Sequence, residues 1–338
     1  MNKRFGYVFS VIMLIVLMLC IQSSVLADFV QEKPWYPISI VDHAGREVII
    51  EEEPQRLVSG YYISTSLLIA LDQEEKLVGI EAKANKRAIY SLSAPELIDL
   101  PNVGTAKEFD LEGCVSLDPD LVILPLKLKN AAETLELLGI DVLLVNPENQ
   151  ELLTSMIHMI AAATNSNEQA AKLQNFTAAQ EAYLSSSLSQ AEMPTVYLAG
   201  NSSLLSTAGN AMYQSDMIRM AGGKNVASEI QDAYWVEIDY EQMLSWNPQF
   251  IILASDASYS VDDVLSDPNL AACDAVVSGN VYQMPNRAEA WDSPVPSGIL
   301  GALWLGNVLH PSLLTDAQTT ERINMYYESF YDFVYGEK

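Results

Sequence analysis

The chain has 338 residues, with 44 Asp and Glu against 18 Lys and Arg, and 49% of it is apolar. That length allows two compact domains, and the apolar share supports a packed core and argues against disorder. A net charge of −26 repels nucleic acid and anionic lipid, and three cysteines are too few for a disulfide framework.

Lys3 and Arg4 precede an apolar run from Tyr7 to Ile21, followed by polar Gln22-Ser23-Ser24 and by Val25 and Ala27. Residues 1–27 therefore read as a secretory signal cut after Ala27. The run is short for a bilayer span of about 20 residues; the alternative is a retained anchor. "LMLC" at 17–20 is a weak lipoprotein site, because Leu19 is bulky where such sites carry a small residue. The chain is expected outside the cytoplasm, in the periplasm or on the outer face of the membrane.

Residues 38–59 predict a hairpin turning at "HAGR", then a strand. "STSLLIALDQEEKLVGI", "FDLEGCVSLDPDLVIL" and "NAAETLELLGIDVLLV" each read as helix followed by strand. This alternation makes residues 36–165 an N-terminal α/β lobe with a parallel sheet covered on both faces. Residues 166–192 contain neither Gly nor Pro and predict one helix of about 20–25 residues, closed by Pro194. From 194 to 338 the α/β rhythm restarts through "TVYLAG", "YQSDMIRMAGG", "QMLSW", "FIILA" and "GNVYQM", ending in two helices. The fold class is α/β: two similar α/β lobes with mainly parallel sheets, joined by one long rigid helix, with a ligand cleft between the lobes.

An internal repeat supports the two-lobe reading. "FDLEGCVSLDPDLVIL" at 109–124 matches "IDYEQMLSWNPQFIIL" at 238–253 without a gap, at an offset of 129. Asp110 pairs with Asp239, Glu112 with Glu241, Ser116 with Ser245 and Pro119 with Pro248. The aspartates are predicted N-caps, with Leu111, Cys114 and Val115, or Tyr240, Met243 and Leu244, turned to the core. Glu112 and Glu241 then sit in the first helical turn, facing solvent. One reading is favourable placement on a helix dipole, worth about 0.3–1 kcal/mol. The other is a pair of outward carboxylates that a twofold-symmetric partner grips with one arginine per half.

In this order, behind a signal segment, several motifs resemble the extracytoplasmic solute-binding proteins of ABC importers for iron-siderophore, haem and cobalamin. They are "VDHAGREVIIEEEPQRLVS", the two repeat copies, "MAGGKNVA" at 220–227 and "YYESFYDFVYG". The resemblance covers roughly residues 36–335 and is to the class with a single helix between lobes. It implies that Glu112 and Glu241 dock onto arginines of a permease dimer served by an ATPase. It also implies a monomer that carries a metal chelate, most readily a ferric siderophore, with corrinoid or haem as alternatives, and that has no cofactor of its own.

Ligands in open α/β sheets bind beyond the carboxyl ends of the strands. The loops there offer Tyr61 and Tyr62, then Lys83, Lys86, Arg87 and Tyr90, then Lys127; the second lobe offers Tyr213, Tyr234, Trp235, Arg287, Trp291 and Asp292. The expected ligand set is Tyr61, Tyr62, Arg87, Tyr90, Tyr213, Trp235, Arg287 and Trp291. Each aromatic is equally a packing residue, and "KANKR" is equally a solvated charge run. Arg87 is favoured over Lys86 because its planar fork can hold an acid group bidentately. His43, His158 and His310 lie in unrelated elements and no Cys or His pair has ligand spacing, so no metal site is expected. An enzyme is disfavoured: no G-x-S-x-G, P-loop, G-x-G-x-x-G or H-E-x-x-H occurs. A binding module feeding a membrane sensor would share the same fold and cleft.

Overall fold

The computed structural model describes residues 36–231 and 235–336. The expected signal segment and Tyr234 lie outside the described residues. The first strands, β1 (Ile38–Val41) and β2 (Glu47–Ile50), form the predicted hairpin, with Gly45 in the left-handed region at φ 74°. Asp42 organises that turn. Its carboxylate accepts from the Ala44 and Arg46 N–H groups, from the Arg46 guanidinium and, at 3.1 Å, from the Leu144 N–H of a distant strand. The hairpin is thereby tied to the edge of the first sheet.

That sheet contains β3 (Leu57–Ser59), β4 (Leu77–Ile80), β5 (Leu121–Pro125) and β6 (Asp141–Val145) in the order β4-β3-β5-β6, all parallel. Its helices are α1 (Tyr62–Ala70), α2 (Ala88–Ser93), α3 (Leu111–Ser116), α4 (Lys129–Leu137) and α5 (Gln150–Thr164). The strands are buried along almost their whole length, as a sheet covered on both faces requires.

The connecting helix α6 runs over Asn167–Ser187, 21 residues, or about 31 Å at 1.5 Å per residue. Asn165, at φ 58°, ends α5 in the left-handed region, so α5 folds back along α6 after two residues. The helix stops five residues short of the predicted Glu192. Ser185, Ser186 and Ser187 have weak helix propensity, and a turn at Leu188–Ala191 takes over.

The second lobe is built on β7 (Thr195–Ala199), β8 (Ser206–Thr207), β9 (Lys224–Asn225), β10 (Val236–Glu237), β11 (Phe250–Leu253) and β12 (Val281–Gln283). The order is β10-β8-β7-β11-β12 with β9 also on β7. Pairings β7–β9, β7–β11 and β11–β12 are parallel, whereas β8 is antiparallel to both its neighbours. The strands β8 and β10 are two residues each, too short for a period-two pattern to show in the sequence. Helices α7 (Tyr213–Met220), α8 (Tyr240–Trp246), α9 (Val261–Leu265), α10 (Asp274–Val277), α11 (Ile299–Leu309) and α12 (Asp316–Phe330) cover this sheet and close the chain.

The repeat is physical. Asp110 accepts from Gly113 N–H at 2.9 Å and Asp239 from Gln242 N–H at 2.7 Å, so both are N-caps as predicted. Asp118 and Asn247, again 129 apart, both take positive φ, 49° and 42°. The residue after each proline completes the unit. Asp120 accepts from the Arg56 N–H ahead of β3, and Gln249 from the Thr195 N–H that starts β7. Cys114 and Met243 both point into the core, and Cys114 and Cys273 are free and buried.

The two sheets do not make two separate cores. The described residues form one compact unit, and one apolar cluster runs from Leu67 and Leu68 of α1 to Tyr326 and Tyr327 of α12. Tyr331, just beyond α12, donates to the Ser66 carbonyl at 3.2 Å. The last helix, predicted as part of the second lobe, thus also completes the first.

Candidate functional site

The cleft lies where the carboxyl ends of both sheets meet. On the first side β3 runs into Gly60, whose N–H donates to the Ile123 carbonyl and where an added Cβ would sit 2.6 Å from Leu124. The chain there enters α1 through Tyr61 and Tyr62, whose rings meet edge-on at 5.3 Å. After β4 the chain turns at Lys83, φ 72°, and delivers Arg87, whose guanidinium carbon lies 4.0 Å from the Tyr62 ring centre. Among the described residues no carboxylate forms an ion pair with Arg87.

Across the cleft, the loop after β11 brings Asp256 and the loop after β12 brings Asn286 and Glu289. Asn286 donates to the Ser255 carbonyl and to Asp256, fixing those two loops to each other. Between the sides lies a cavity of about 140 Å³, lined among others by Tyr62, Ser66, Arg87, Asn286 and Glu289. Both lobes therefore contribute to one cavity.

Three carboxyls are buried around it, and hydroxyl groups surround each. Glu81 accepts from Thr65 at 2.7 Å and Tyr90 at 2.6 Å. Glu289 accepts from Ser66 and Ser297, both at 2.5 Å. Asp292 accepts from the Ser255 hydroxyl and N–H. Burial raises all three above the ordinary carboxylate range, against the opposing hydrogen bonds.

Of the ligand set expected from the sequence, Tyr62 and Arg87 line the cavity, and Tyr61 packs half-buried beside Tyr62. Tyr90 lines it only from beneath, fully buried with its hydroxyl donated to Glu81. Trp235 lies over the backbone of Gly200, away from the cavity wall, and is 38% exposed. Arg287 is exposed, with its guanidinium carbon 5.8 Å from the Tyr335 ring centre.

Tyr213 and Trp291 do not face the cleft. Tyr213 is 1% exposed and packs on Gly298, where a Cβ would meet its hydroxyl. Trp291 is 1% exposed and donates its Nε1–H to Tyr327 at 2.8 Å. Trp291 lies on the loop after β12, whereas Tyr213 opens α7, and the closing helices α11 and α12 cover both positions. Asp292 is buried as well, Lys127 is exposed near Glu148, and Lys83 is exposed, while Lys86, also exposed, lines the cavity beside Arg87. Sequence reasoning missed Ser66, Asn286 and Glu289. The one signal for Ser66 is a run of three hydroxyl residues, Ser64, Thr65 and Ser66, inside an otherwise apolar helix.

The histidines all serve packing. His43 accepts from Asn146 N–H, His158 meets Gln174, and His310 contacts the Gly222 carbonyl. Among the described residues no three His, Cys, Asp or Glu side chains gather as a metal site.

Glu112 and Glu241 are exposed and, among the described residues, take part in no ion pair. Their helices start at the same edge of each sheet. Asp110 N–H donates to Val103, which itself bonds Ile80 at the carboxyl end of β4. Ile238 N–H donates to Leu205, next to the β8–β7 pairing at Ala199, the carboxyl end of β7. Both glutamates therefore flank the cleft edge.

Comparison with known proteins follows that geometry. Residues 57–288 match the family described as periplasmic binding protein. The molybdate-binding protein MolA of Haemophilus influenzae is 25% identical over 319 residues, covering 86% of this chain and 90% of that protein. Its structure bound to molybdate superposes with a TM-score of 0.77, at 24% identity over 89% of this chain and 100% of that one. A periplasmic solute-binding protein from Veillonella parvula gives a TM-score of 0.75 at 26% identity, over 88% of this chain and 93% of that one. The vitamin B12-binding protein of Salmonella choleraesuis is 27% identical over half of this chain and 64% of its own length.

Proposed function

The chain belongs to the periplasmic binding protein family, and from that premise we propose that it captures a compact metal-bearing anion outside the cytoplasmic membrane and delivers it to an ABC importer. The observation that carries the reading is Arg87, half-buried, stacked on Tyr62 and in no ion pair among the described residues, at the wall of a cavity shared by both lobes. A guanidinium with no carboxylate partner keeps its forked N–H donors for an anion, and the ring beneath it fixes its plane.

Size favours a small cargo. A cavity of about 140 Å³ compares with several water volumes of about 30 Å³ each, room for a tetrahedral oxyanion such as molybdate. The binding of molybdate by a relative similar over most of its length supports the same class. Ferric siderophore, haem and corrinoid belong in pockets of about 300–1,000 Å³ and require the lobes to part. The ferric chelate keeps one observation in its favour, the Tyr61–Tyr62 ring pair beside Arg87, a platform suited to a flat anionic chelate. In either case the cargo brings most of its own metal ligands.

Titration of the purified protein with molybdate, tungstate, a ferric siderophore, cobalamin and haemin tests this. Saturable binding of the oxyanions and none of the larger cargoes supports the compact class; the reverse selectivity overturns it. Arg87→Ala is expected to weaken the bound anion by about 1.5–3 kcal/mol, the range for a charge-assisted hydrogen bond. Arg87→Lys should recover part of that loss. An unchanged dissociation constant in Arg87→Ala would remove Arg87 from the site.

A further inference from the structure

We propose that Glu289 is a positioning residue, an uncharged carboxyl that clasps the two lobes across the cavity and leaves Arg87 free to hold the anion. This rests on the anion-binding reading of the cavity. The geometry is a chain of hydroxyls. Ser66 of α1, on the first side, reaches one Glu289 oxygen, and Ser297, on the second, reaches the other, each at 2.5 Å. Ser66 is held in turn by the Tyr331 hydroxyl at 2.9 Å.

The surroundings decide the charge state. Glu289 is buried at 8% exposure, and the ionisable groups facing it are Arg87 and Tyr62 from the first lobe and Tyr326, Tyr327 and Tyr331 from α12 and its end. Arg87 is the one base among them. Two neutral hydroxyls solvate a buried carboxylate poorly, whereas a neutral carboxyl uses both well, with one of the two contacts reversed so that it donates its proton to one serine and still accepts from the other. An ionised Glu289 would also oppose the positive charge that an incoming anion needs. Burial pushes its titration upward in agreement with this geometry.

Two measurements on the full mature chain test the proposal, with Glu289→Gln as the isosteric neutral mimic, Glu289→Ala as the deletion, and Ser66→Ala as a second deletion of one arm. The first is molybdate affinity from about pH 6 to about pH 9, a range in which that probe stays a dianion. Glu289→Gln should bind like the wild type wherever Glu289 is neutral, with a flat profile, and wild-type affinity should fall about tenfold or more below it where rising pH ionises Glu289. A Glu289→Gln protein that keeps the wild-type pH dependence overturns the charge argument. The second is ligand-free hydrogen exchange over residues 62–70. Protection should persist in Glu289→Gln and fall in Glu289→Ala and Ser66→Ala. Equal loss in the Gln and Ala variants overturns the clasp. Absence of molybdate binding by the wild type at every pH defeats the anion reading, while the exchange result still decides the clasp.

Discussion

Reversing both repeat glutamates, Glu112→Arg with Glu241→Arg, is expected to reduce solute import to background while leaving the dissociation constant of the cargo within about twofold. The reason is placement. Both side chains are exposed, neither takes part in an ion pair among the described residues, and both stand at the first turn of matching helices beside the cleft edge. A permease with twofold symmetry would meet them with like basic groups, and charge reversal replaces two attractions with two repulsions. The cost to folding should be small, about 0.3–1 kcal/mol at each helix start from the dipole alone. Uptake by cells carrying the variant, together with titration of the purified protein, checks both halves. Full import by the double variant would assign the docking surface elsewhere. Lost affinity would put the glutamates in the cargo site instead.

Asp42→Ala should cost about 3 kcal/mol of stability in urea unfolding, far more than a typical hairpin substitution. That carboxylate is fully buried and accepts from three backbone N–H groups as well as Arg46, so its removal strands several donors and frees the hairpin from β6. Burial works against its charge, but the Arg46 and backbone hydrogen bonds prevail and hold its titration below the ordinary 3.8. Its contribution is present above that ordinary value and is lost as pH falls through the lowered folded one. Glu81, Glu289 and Asp292 have the opposite sign. Raised by burial, they contribute fully below the ordinary carboxylate range, and their contribution fades as pH rises through the folded values. The net charge of −26 adds repulsion in the same alkaline direction. Thermal unfolding across pH should therefore show its highest midpoint on the acid side of neutrality, and Asp42→Ala should lose mainly the acid limb. A midpoint that climbs steadily from pH 5 to pH 9 would contradict the assignment of neutral buried carboxyls.

Local causes made part of this molecule legible. N-cap aspartates, the Gly45 hairpin, the Gly- and Pro-free connecting helix and the ungapped repeat all act within a few residues of one another. They predicted the lobes, the matched helix starts and the exposure of Glu112 and Glu241. The cleft was legible where it hugs a strand end, at Tyr62, Lys86, Arg87 and Tyr90. Trp291 and Tyr213 do not reach the cleft because their burial is settled by distant partners, Tyr327 and Gly298. Ser66 and Glu289 are 223 positions apart, and no periodicity marks a bond of that span. An aromatic-rich closing helix could equally have lined a pocket, and its stacked rings instead fill the core.

The return of Tyr331 to Ser66 has a bearing on order of synthesis. A chain delivered through a narrow pore with its first residues leading would present α1 long before α12. The apolar face that α12 covers would stay open until the final segment emerged, so the leading half could not finish folding ahead of the trailing one. Such a molecule is kept threadable by its own connectivity, and locks only when its tail arrives.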